Sequence, residues 1–180
     1  MRLVLLIFSF CDWLQRTPVA SYMRASFWAF PLVESLHILC GNVPLLVATS
    51  ILSARLAGWG LREVPVSKLA RGLLPWAWTG FLIQVITGLL LFSSAAAKYA
   101  STRIFPLKML LILLAGTNAL IFMRTTYRRV AAWDTAEVPP LGARFAGVVS
   151  LLLWSSVLVM GRVLNSAVSL VVAAHLWFAR

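Results

Sequence analysis

Acidic side chains are scarce in this chain. Five Asp and Glu stand against 16 Lys and Arg, a formal net charge of +11. Charge of either sign is thin, at 12% of residues, where a soluble domain carries about a quarter. Histidine occurs only twice, at His37 and His175, and no Ser-His-Asp set can be assembled around so few. No His-Glu-x-x-His motif and no glycine-rich phosphate loop occurs either, which disfavours hydrolase and kinase chemistry. The two cysteines, Cys11 and Cys40, form no Cys-x-x-Cys pair. Cys40 falls inside an apolar run, which argues against a structural disulfide.

What the chain has instead is apolar length. Its 180 residues are 61% hydrophobic, with a mean hydropathy of +0.91. This excess fits one domain solvated by lipid better than one large buried core. The basic residues sit mostly between the apolar segments, where they meet anionic head groups and set topology. That placement argues against nucleic acid as a partner and for membrane lipids.

Four segments reach the roughly 20 apolar residues needed to cross a bilayer: 30–54, 73–92, 104–123 and 145–161. The expected fold is an all-α integral membrane four-helix bundle spanning residues 27–162, with an interfacial N-terminal segment (1–26) and an interfacial C-terminal helix (163–180). In the N-terminal segment a short apolar run is followed by Asp12, Trp13 and Arg16, a pattern suited to the head-group zone. Pro31, Pro75 and Pro106 are expected in helix first turns, where a missing N–H costs nothing. Pro44 lies mid-span and should kink span one beside Gly41 and Asn42. Ser67 is read as a helix cap. The loops after spans one and three hold the densest Lys and Arg clusters, which places them in the cytoplasm and both termini outside.

With that topology the polar residues of the spans fall at one level near the outer face. Glu34 and His37 share a face of span one at i, i+3. Gly80, Gln84 and Thr87 share a face of span two at i, i+4, i+7, and Gly80 and Gly88 allow close packing. Lys108 lies just inside span three, and Arg162 ends span four. Ionisable groups in lipid usually face a protein interior and mark function. Glu34 could pair with Lys108 or Arg162 and lock the bundle. His37 has three readings: a packing residue, a haem or metal ligand, or a proton relay beside Glu34. Met109, at the same level, is a candidate second haem ligand. Trp154, Asn118 and Asn42 read as packing and helix-tying residues.

The stretches Phe30-Pro-Leu-Val-Glu-Ser-Leu-His37, Pro75-Trp-Ala-Trp-Thr-Gly80, Lys108-Met-Leu-Leu to Asn118-Ala119, and Leu153-Trp154 with Gly161-Arg162 resemble a family of small bacterial four-helix membrane proteins of unknown function. More distantly, the Leu-His of span one and the Lys-x-x-Leu with a later Asn in span three are similar to the copper-resistance D type and to the HemJ type of protoporphyrinogen oxidase. The resemblance implies a multi-pass protein of the bacterial inner membrane with haem b, porphyrin or copper around His37. Those relatives often carry another histidine where this chain has Met123-Arg124. A redox or electron-transfer subunit is the leading expectation. An accessory subunit packed on other membrane protein subunits, and a metal or small-solute transporter, are the alternatives.

Overall fold

The computed structural model describes the backbone of residues 2–178 and the side chains of residues 6–166. Among the described residues the chain is helical and has no strand. Two short helices, α1 (Arg2–Gln15) and α2 (Pro18–Ala25), precede α3 (Ala29–Leu36), a π-helix (His37–Asn42) and α4 (Val43–Ala57). Then come α5 (Val66–Ser94), α6 (Ala96–Ser101), α7 (Ile104–Arg124), a 3-10 turn (Tyr127–Ala132) and α8 (Leu141–Phe178). Among the described residues four stretches are long and apolar enough to cross a membrane: Ala29–Ala57, Val66–Ser94, Ile104–Arg124 and Leu141–Ser166. At most 17% of the most apolar window of each is buried. The apolar surface is therefore turned outward, as lipid-facing helices require and soluble cores forbid.

Several boundaries differ from the sequence reading, each for a physical reason. Helix α5 begins at Val66 rather than Leu73, because its N-terminus is capped from a distant loop. The Ser67 backbone N–H donates to Asp134 Oδ1 at 2.7 Å and the Ser67 hydroxyl donates to Oδ2 at 2.6 Å. Ser67 is thus the capped residue, and Asp134 supplies the acceptors for an amide that has no intrahelical partner. Pro75 consequently lies inside α5 rather than in its first turn. The break expected at Arg162 is absent: α8 runs on to Phe178. His175 and Trp177 lie outside the described side chains.

The irregularity expected at Pro44 takes the form of a single wide turn, the π-helix His37–Asn42, directly before it. Such turns re-register the backbone ladder and are frequent at functional sites. Here the wide turn accompanies a close helix crossing. A Cβ on Gly80 of α5 would lie 2.7 Å from the Gly41 carbonyl oxygen and 2.8 Å from the Leu45 nitrogen. Only a residue without Cβ lets the two backbones approach so far. Gly147 of α8 does the same against α4, its Cβ position 2.7 Å from the Ser53 oxygen. Asn118 of α7 donates to the Ala146 carbonyl of α8 at 3.0 Å. Trp154 packs with Leu45, Ala48 and Ala77 in a mid-bundle cluster.

The spans are therefore ordered α5, α4, α8, α7 around the bundle. Helices α5 and α7, neighbours in sequence, make no extended contact. They meet at one end, where Phe92 stacks on Phe105 with centroids 4.8 Å apart. At the opposite end Arg55 is fully buried at 0% exposure. Its guanidinium donates to the carbonyls of Val64, Arg62 and Ala136, tying both loops of that end to α4. The N-terminal hairpin lies against the other end, α1 on α6 and α2 on α5.

Candidate functional site: a histidine on a π-turn

His37 opens the π-turn, and α5 holds it from one side. Its Nδ1 is 2.7 Å from Thr87 Oγ1. The Thr87 hydroxyl itself lies 2.5 Å from the Ile83 carbonyl, to which it donates. A hydroxyl has one proton, so Thr87 has only lone pairs left to offer the ring. Nδ1 must then carry the imidazole proton, and Nε2 keeps a free lone pair. Gly88 sets the ring's position: a Cβ there would lie 3.3 Å from His37 Cε1. Thr87 is buried and His37 half-buried.

Gln84, one turn below Thr87, satisfies the backbone of the same turn. Its Nε2 donates to the His37 carbonyl at 3.1 Å and also to Asn42 Oδ1. Gly41 makes room, since a Cβ there would meet Gln84 Cγ at 2.9 Å. Gly80, Gln84, Thr87 and Gly88 thus form one continuous face of α5 laid along the π-turn, which also answers Asn42.

The other spans reach the same layer. Lys108 of α7 is half-buried, with Nζ 3.5 Å from the Cβ position of Gly161 on α8, one turn before Asn165. The Asn165 amide of α8 lies 3.5 Å from Glu34 Oε1, to which it donates. Among the described residues Glu34 forms no ion pair with Lys108 or Arg162. The lock expected there is an amide contact instead. Arg162 is exposed, and Met109 is exposed too, about 100° around α7 from Lys108. Tyr99 of α6 completes the rim. Burial, and then the nearby Glu34 carboxylate, raise its phenol pKa.

Glu34, His37, Gln84, Thr87 and Lys108 therefore meet at one end of the bundle, while Met109 and Arg162 face outward. Asn165, Tyr99 and Gly88 are additions. The sequence signals Asn165 and Gly88 as polar and small residues within apolar runs, but it does not indicate their rotation about the helix. Among the described residues no cluster of three or more His, Cys, Asp or Glu side chains could hold a metal ion. Both cysteines are free. No family model, curated protein or solved structure matches this chain. The site is accordingly read from its own geometry.

Proposed function

We propose that this chain is a multi-pass protein of the bacterial cytoplasmic membrane that holds haem b through His37 and serves as a redox or electron-transfer subunit. The observation that carries the reading is the 2.7 Å contact of His37 Nδ1 with the Thr87 hydroxyl, from which the Nδ1–H tautomer follows. A ring fixed through Nδ1–H presents Nε2 as a neutral, oriented donor, the state a haem iron takes from histidine. Thr87 does the orienting, and Gln84 holds the backbone from which the ring projects. Lys108 places a cation on the same layer, complementary to the carboxylates of a porphyrin. The separation of α5 from α7 supports entry of a flat amphiphile from the lipid.

A porphyrin brings four equatorial nitrogens and asks the chain for an axial one. Bound haem would supply one-electron chemistry. With Met109 turned outward, His37 is the axial ligand offered by the described residues.

The test is the optical spectrum of the full chain purified in mild detergent from cells supplied with a haem precursor. A Soret band is expected, lost in His37→Ala and kept in His175→Ala. A colourless wild type that also fails to take up added haemin overturns the reading.

A further inference from the structure

A second site lies at the rim of the bundle, between α2, the start of α3 and the turn joining α5 to α6. It is a cleft of about 460 Å³ whose lining includes Met23, Arg24, Phe27, Phe30 and Lys98. Two cations from separate elements face it, and no acidic residue lines it. Arg24 is pinned in place: Nη1 donates to the Ser94 carbonyl at 3.3 Å and Nη2 to the Gln15 carbonyl at 2.6 Å. Lys98 is exposed, and its ammonium has no partner among the described residues. Apart from Ser26 and Ser94 the rest of the wall is apolar, and Phe27 at its edge is 81% exposed.

The position of the cleft selects its occupant. Helices α1 and α2 expose Phe10, Trp13, Val19 and Tyr22, the residue types that settle where head groups meet acyl chains. A free anion would meet the cations and leave the Phe27–Phe30 wall facing water. A zwitterionic lipid would bring its own cation toward Lys98. We propose that the cleft binds an anionic phospholipid, its phosphate between Arg24 and Lys98 and an acyl chain along Phe27 and Phe30. The inference goes beyond the haem reading and shares none of its residues. It depends only on the membrane placement of the spans.

Titration of the detergent-solubilised full chain with phosphatidylglycerol and with phosphatidylcholine of the same acyl chains, followed by native mass spectrometry, tests it. Each cation near an anionic lipid is worth about fivefold in affinity. Phosphatidylglycerol should bind about tenfold or more tightly than phosphatidylcholine. Lys98→Gln should remove about fivefold of that preference, and Lys68→Gln, at the other end of the bundle, none. Phe27→Ala should weaken both lipids alike, and added inorganic phosphate should displace neither. Equal binding of the two lipids by wild type, equal effects of the two lysine variants, or displacement by phosphate overturns the proposal. Both Lys98 and Phe27 are exposed, so either variant reports on the site if the other fails to fold.

Discussion

Thr87 is the residue on which the His37 arrangement turns. It is buried, and its hydroxyl is at once acceptor for the ring and donor to Ile83. Thr87→Val keeps the shape and removes the acceptor, leaving the ring N–H unmatched, which costs about 1–3 kcal/mol. The expected result is a lower unfolding temperature in detergent and a weaker Soret band, with Thr87→Ser close to wild type on both. At the other end Asp134 gives a pH signature. Burial raises its carboxyl pKa, but the hydrogen bonds from Ser67 and the charges of Arg71 and Arg55 outweigh burial and leave it below the ordinary 3.8. A carboxyl whose folded pKa is depressed adds stability above its unfolded pKa and loses it as pH falls through the folded one. Wild type should therefore unfold at a higher temperature than Asp134→Asn at neutral pH, and the gap should close below about pH 4. The polar residues of the spans were legible because carboxylate, imidazole, amide and ammonium stand out in apolar runs. The burial of Arg55 is not legible in the same way, since a cation ending an apolar run usually reaches for water. Its burial depends on the carbonyls of Val64, Arg62 and Ala136 folding over it, and Ala136 lies 81 residues away in the loop after span three.

At the scale of elements, the helix crossings decide where the site stands. The contact of α5 with span one is made backbone to backbone at Gly80, so a methyl group there has no soft neighbour to push aside. Gly80→Ala should cost about 1–3 kcal/mol and, by tilting α5, should loosen the Thr87 hold on His37. Gly72→Ala on the same helix is the control: a Cβ there meets nothing within 4 Å, and alanine favours helix over glycine by about 1 kcal/mol. Thermal unfolding of the two variants in detergent should move in opposite directions. Glycine spacing on α5 was readable in advance as a packing face. The partner surface was not, because the π-turn rotates His37 and Gly41 relative to a regular helix, and only the hydrogen bond from Gln84 to the His37 carbonyl shows that rotation.

For the whole molecule, four spans put both loops tied by Arg55 on one side and α6 with the N-terminal hairpin on the other. The first side exposes Arg62, Lys68, Arg71, Arg124, Arg128, Arg129 and Arg144. The second exposes Arg16, Arg24, Lys98, Arg103 and Arg162. Orientation follows the count of Lys and Arg rather than net charge, so Glu63, Asp134 and Glu137 do not cancel the first group. The first side is expected in the cytoplasm, which sets the His37 layer toward the outer leaflet. Thr135 and Ser101 are exposed on the two sides and serve as reporters once Cys11 and Cys40 are replaced by alanine. In intact spheroplasts an impermeant maleimide should label Ser101→Cys and spare Thr135→Cys until the membrane is opened. The reverse pattern would turn the bundle over and bring the His37 layer to the cytoplasmic leaflet. Labelling of both positions in sealed spheroplasts would mean that the four helices do not all cross, and the lateral opening between α5 and α7 would then face water instead of lipid.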